Sequence, residues 1–204
     1  LPTQASLTLK RNNLTVFSLN LSNVTFQTGT NFSMPLTADI TIYTAPFSHT
    51  FQWRRNTATD FKFSYTSSTP QGCGTNMEIN IKLYDADYSN ITSIKDDVKM
   101  VNGFVSEGNL KVNYTVNVQA LSAYSNPTDA QINANSDAEV FYNNQKIGDL
   151  EYRTINNKVE FFIIYSDGTN ENVNVYVNDF ENQIRSIFSN YFNLPESIII
   201  KELN

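Results

Sequence analysis

Apolar and polar residues alternate with a period of two along most of this chain. That period belongs to a β-strand, whose successive side chains point to opposite faces of a sheet. The first run is ASLTLK, with Ala5, Leu7 and Leu9 on one side and Ser6, Thr8 and Lys10 on the other. The residues RNN then read as a turn, and LTVFSLNLSNVTF alternates with one slip near Val16-Phe17, which predicts a bulge. ADITIYT follows, then FSHTFQWRR with Phe47, His49, Phe51 and Trp53 on one face. DFKFSYT aligns Phe61, Phe63 and Tyr65, and MEINIKLYD aligns Met77, Ile79, Ile81 and Leu83. In LKVNYTVNVQAL the inward set is Leu110, Val112, Tyr114, Val116 and Val118, and the outward set is Lys111, Asn113, Thr115 and Asn117.

Residues 122–136, SAYSNPTDAQINANS, are small and polar and read as a linker. Beyond them DAEVFYN, IGDLEYRT, KVEFFIIYS and NVNVYVN read as four strands, with Asp167-Gly168 turning the last hairpin. The period then shifts: Phe180, Ile184, Ile187, Phe188 and Tyr191 form a helical stripe, capped by Asn178 with Glu181 and stopped by Pro195. ESIIIKEL closes the chain as a strand. The pattern predicts a mainly β protein. A strand at residues 1–10 precedes an antiparallel β-sandwich of immunoglobulin or pilin type over 11–121. After the linker, residues 137–204 form a smaller antiparallel sheet with one helix.

Composition narrows the function classes. Charged residues are 17% of the 204, below the roughly 25% of ordinary soluble domains. Neutral groups take their place, with 28 Asn, 18 Ser and 20 Thr. The net charge is −6 and no basic run exceeds two residues, which argues against nucleic acid as a partner. The longest apolar run, Phe161 to Tyr165, is far short of the ~20 residues of a membrane-spanning helix. The chain opens with Leu-Pro rather than Met, as expected after removal of a signal peptide, and this points to an extracellular location.

No catalytic motif is present, and neither an enzymatic activity nor a cofactor is expected. His49 is the only His and Cys73 the only Cys. His49 lies in an aromatic strand, and Cys73, in PQGCGTN, has no neighbour that would lower its pKa. A His- or Cys-ligated zinc site needs more of both. The candidate metal ligands are Asp85, Asp87 and Asp96 in YDADYSNITSIKDD, whose alternate oxygens resemble a calcium loop. Asn90 stands where such a loop needs Gly, and an Asp stands where it needs Glu, so a solvated acidic loop is expected and no metal site.

Six Asn-x-Ser/Thr sequons begin at Asn13, Asn20, Asn23, Asn31, Asn90 and Asn113. Random placement of this much Asn, Ser and Thr yields a similar total, but all six precede residue 114. All can lie at the surface and are candidate acceptors of N-linked glycans. The opening strand has a second use beyond its own sheet. An extended segment from one molecule can complete the sheet of the next, with backbone hydrogen bonds giving affinity and alternate side chains giving specificity. Repeated head to tail, that contact makes a filament.

The start LPTQASLTLK, the N-terminal sequons, the all-β body and the Asn- and Thr-rich, weakly charged composition resemble the subunit of archaeal thread filaments. These are extracellular, N-glycosylated polymers related in design to chaperone–usher pili. The resemblance implies a homopolymer in which Ala5, Leu7 and Leu9 are the plugs of a donor strand. A surface of neutral amides and hydroxyls also suits an acidic exterior, because those groups do not titrate. The competing expectation is a secreted or surface-anchored adhesin whose Phe51 and Trp53 form a sugar platform, although aromatics alternating on a strand fit a core better.

Overall fold

The computed structural model describes residues 3–26, 35–70, 72, 74–84 and 97–173. Its strands are β1 Ala5–Arg11, β2 Leu14–Phe26, β3 Pro35–Thr44, β4 Phe47–Arg55, β5 Asp60–Ser68 and β6 Thr75–Leu83. They continue as β7 Val98–Glu107, β8 Leu110–Val116, β9 Ser136–Tyr142, β10 Gln145–Ile155, β11 Lys158–Tyr165 and β12 Asn170–Asn172. Two short helices, α1 Val118–Ser122 and α2 Asp129–Ala134, lie between β8 and β9. The protein is mainly β: the strands form one large antiparallel sheet whose spatial order is their sequence order. The chain divides into two compact units, Leu1–Asp149 and Leu150–Asn204, at a point within β10.

The turns explain why each strand meets the next. Asn12-Asn13, Asn143-Asn144 and Asn156-Asn157 have φ between 50° and 64°. A two-residue hairpin loop that matches the twist of its strands needs positive φ at both positions, and Asn tolerates that region better than other residues with a side chain. Gly108 and Gly168, at φ 57° and 82°, serve the β7–β8 and β11–β12 turns. The Gly168 N–H donates to the Tyr165 carbonyl at 3.0 Å, so Asp167-Gly168 turns its hairpin as the sequence predicts.

Register separates the two faces of the Leu1–Asp149 unit. One row runs Ala5, Leu21, Ile40, Phe51, Tyr65, Met77, Val105, Val112 and Val140 across nine strands. On the opposite face Ser6, Asn20, Thr41, Thr50, Thr66, Asn76 and Ser106 are neighbours across seven. The expected bulge is present: Lys10 pairs with Thr15 and Leu9 with Phe17, so Val16 is the extra residue. Its carbonyl accepts from the Ala45 N–H at 3.1 Å.

One corner of this unit holds a hydrophobic cluster. Phe61, Leu83 and Val98 are buried together, with Trp53, Ile81, Val101 and Val118 against them. The last of these explains α1. LKVNYTVNVQAL does not stay extended to Val118: β8 ends at Val116, and the Asn117 side chain accepts from the Ala120 N–H at 3.0 Å, capping a helical turn. That turn brings Val118 to the corner. Residues 122–136 are likewise not a bare linker. Thr128 and Gln131 form a capping box that starts α2: the Gln131 N–H donates to Thr128 Oγ1 at 3.3 Å, and the Thr128 N–H donates to Gln131 Oε1 at 2.9 Å.

Strand β7 has no counterpart among the sequence-predicted strands. In the Leu150–Asn204 unit β12 begins at Asn170, ahead of NVNVYVN, whose residues from 174 onward lie outside the described residues. The helical stripe of 178–191 and the closing ESIIIKEL lie outside them as well.

Candidate functional site

The first candidate is an edge. All seven residues of β1 are exposed, and β1 ends the spatial order of the sheet. Its inner side pairs with β2 of its own chain, Ala5 against Leu21, Leu7 against Leu19 and Leu9 against Phe17. The Lys10–Asn13 stretch closes the β1–β2 hairpin, with Asn12-Asn13 at its turn. Leu7 and Leu9 retain 52% of their surface each, and Phe47, which meets this row through Thr44 and Phe17, retains 46%. An edge strand with an exposed apolar row and a free line of backbone donors and acceptors can pair with another chain. Lys10 and Arg11 are the only charges on it.

The sequons occupy several settings. Asn13 is exposed in the β1–β2 turn, and Asn20 is exposed on the polar face. Asn23 is exposed at a second irregularity in β2, with φ 53°, and its Nδ2 donates to Asp39 Oδ2 at 2.6 Å. Asn113 is half-buried on the polar face of β8, between Phe104 and Glu139 in register. Asn31 and Asn90 lie outside the described residues, as do Cys73 and the candidate ligands Asp85, Asp87 and Asp96. Among the described residues no group of three His, Cys, Asp or Glu side chains could hold a metal ion. No described helix is long and apolar enough to cross a membrane.

His49, Phe51 and Trp53 of β4 are half-buried against the neighbouring strands. Trp53 Nε1 donates to the Pro35 carbonyl at 2.7 Å, and its ring lies 5.4 Å from that of Phe61. The Phe51 ring is 4.9 Å from Tyr65 and 6.3 Å from Phe63. His49 Nδ1 is 2.9 Å from the Tyr65 hydroxyl, with the two rings stacked. These contacts tie His49 and Phe51 to β5, and Trp53 to both β3 and β5.

The polar face holds a groove of about 400 Å³ over β4 to β8, with Gln52, Ser64, Asn76, Glu78, Phe104 and Lys111 among its lining. Ion pairs fix its charges. Lys62 Nζ lies 2.5 Å from Glu78 Oε2, and Asn80 Nδ2 donates to Glu78 Oε1 at 3.0 Å. The hydrogen bond from Lys62 outweighs partial burial and holds Glu78 below the ordinary carboxylate value of 4.5. Asp39 is pushed up by burial, but hydrogen bonds from Asn23 and Arg54 together carry it below 3.8. Asp60 is lowered chiefly by the hydrogen bond from Thr57, and further by Thr59 and by the charge of Lys82.

These depressed carboxylates predict the pH profile. A group whose pKa is lower in the folded chain stabilises it above the unfolded value and loses that contribution as pH falls through the folded one. Thermal melting followed by circular dichroism is therefore expected to give a level midpoint from pH 7 to about pH 5 and a decline below about pH 4. The surface setting of these pairs limits the total loss to about 1–2 kcal/mol. A midpoint that falls steadily between pH 7 and pH 5 would contradict the assignment.

The chain matches no family model, no curated protein and no solved structure.

Proposed function

We propose that this chain is the structural subunit of an extracellular cell-surface filament, polymerising head to tail by passing its N-terminal strand to the next subunit. The observation that carries this reading is the setting of β1, an end strand exposed at all seven residues and bonded inwardly to β2 alone in the strand order. If the Asn12-Asn13 turn opens, β1 can leave its own β2 and take the same register on the β2 of a neighbour. Every backbone bond and the Leu7–Leu19 and Leu9–Phe17 contacts are then remade between molecules. Such exchange costs little in contacts, so concentration sets the balance between closed monomer and open chain of subunits.

The apolar row from Ala5 to Val140 supports the same reading. In this proposal it is the inner layer of a pilin-like sandwich, and Ala5, Leu7 and Leu9 are the donor-strand plugs. Exposed Asn13, in the turn, and Asn20, on the polar face, remain accessible to N-linked glycans in the polymer. The low overall charge and the abundant neutral amides and hydroxyls suit a surface that meets an acidic exterior.

Deletion of residues 1–11 tests the proposal. In electron microscopy and gel filtration at matched concentration, the full chain is expected to form filaments and the shortened chain to remain monomeric. A synthetic peptide of residues 1–11 is expected to cap the filaments and shorten them. Monomers from both chains, or filaments from both, would overturn the role given to β1.

A further inference from the structure

Phe104 breaks the alternation of its strand. In β7, Val101, Gly103 and Val105 lie on the apolar face opposite Ile81, Ile79 and Met77, with Val105 keeping 40% of its surface and Phe104 half-buried. Phe104 points the other way, into a neighbourhood of Glu78 and Asn113 across the strands and Asn102 and Ser106 along its own. Core packing does not call for a ring there: the inward place beside it is given to glycine. A large apolar side chain on a polar face costs solvation, and departures from local sequence rules concentrate at functional sites.

The surroundings are ordered. Glu78 is held between Lys62 and Asn80, so one carboxylate is fixed as an acceptor at the groove wall. Asn80 also donates to Asn102 Oδ1 at 3.2 Å, which sets both amides. Lys111 Nζ lies 4.6 Å from the Phe104 ring centroid, so the ring's groove-side face attracts positive charge. The partly positive C–H face of a pyranose fits the same seat. Hydroxyls of that sugar residue then meet Asn76 and Ser106, those of the next residue along meet Ser64 and Gln52 two and three strands away, and the displaced Lys111 ammonium remains close enough to donate. The volume of about 400 Å³ lies in the range of small-molecule sites.

We infer that this groove is a carbohydrate-binding site in which Phe104 stacks against a neutral hexose oligosaccharide while Glu78 and the amides and hydroxyls around it orient the sugar. The site goes beyond the filament reading and does not depend on it.

Saturation-transfer difference NMR on the full chain, observed on the protons of cellotetraose, mannotriose and maltotriose in turn, tests this in monomer or polymer alike. Transfer to the ring C–H protons of at least one sugar is expected, with an affinity weakened about tenfold in Phe104→Ala. Phe104→Leu, which keeps the bulk but not the ring, is expected to weaken binding similarly, and Tyr43→Ala, on the polar face outside the groove, to leave it unchanged. No transfer to any of the three sugars at about 5 mM, or transfer undiminished in both Phe104 variants, would overturn the inference.

Discussion

Phe61→Ala is expected to remove about 3–5 kcal/mol of stability, the largest single loss in the Leu1–Asp149 unit. Phe61 is 3% exposed, and its ring is the centre of the corner formed with Leu83 and Val98. Trp53 lies against it at 5.4 Å between ring centroids, and the Arg55 guanidinium sits 5.9 Å from the ring on another side. Truncation removes the transfer energy of the ring and leaves a cavity that strand backbones cannot collapse into, because each is bonded to two neighbours. Urea denaturation followed by Trp53 fluorescence reads the change directly, since the single Trp borders the cavity. A loss under about 1 kcal/mol would mean that the corner is loosely packed.

Gly103→Ala is expected to cost about 3 kcal/mol, although it adds one methyl group in the middle of a strand. A Cβ at that position would lie 1.8 Å from the Glu78 carbonyl oxygen and 2.9 Å from the Tyr114 hydroxyl. The first obstacle is the backbone of the adjacent strand, which cannot move without disturbing the pairing of β6 with both β5 and β7. The second is a side chain with a role of its own. Tyr114, directly opposite Gly103, lies across it and donates its hydroxyl to the Glu78 carbonyl at 3.2 Å. Cross-strand aromatic cover of a strand glycine is a known stabilising device. Tyr114→Phe serves as the companion measurement: it removes one hydrogen bond and keeps the ring, so a loss of only about 1 kcal/mol is expected. Equal losses for the two variants would show that the hydroxyl, not the close approach, governs the site.

The sequence disclosed the strands wherever alternation was clean. FSHTFQWRR is β4 from end to end, and LTVFSLNLSNVTF is β2 with its bulge at Val16. It concealed β7 for a physical reason. In VKMVNGFVSE the inward position 103 is glycine and the outward position 104 is phenylalanine, so the two residues together invert the expected pattern. The same inversion places the Phe104 ring at the groove, but alternation alone does not single it out, because Tyr43 and Phe141 also fall on the polar face. Residues 122–136 hid α2 because a six-residue helix has too few turns to show a period. The signal there was Thr128-x-x-Gln131 after Pro127, which fits a capping box. Asn143-Asn144 and Asn156-Asn157 were as readable as Asn12-Asn13, since each pair sits between two strand-like runs. Pairing partners were not readable: nothing in alternation alone says that β1 lies against β2 of the same chain.

The strict succession of neighbours also governs the kinetics of folding. Within Leu1–Asp149 every described strand bonds to the one before it, so no strand waits for a distant partner. Loop-closure entropy is small at each step, and topologies of this low contact order fold quickly. A chain delivered from its N-terminus can add one hairpin at a time, its growing rim always being the strand most recently made. The opposite rim, β1, has no second partner among the described strands. It is open to a neighbouring chain from the first hairpin onward, so ordered assembly and irregular aggregation draw on the same edge and are separated by the rate at which a correct partner arrives.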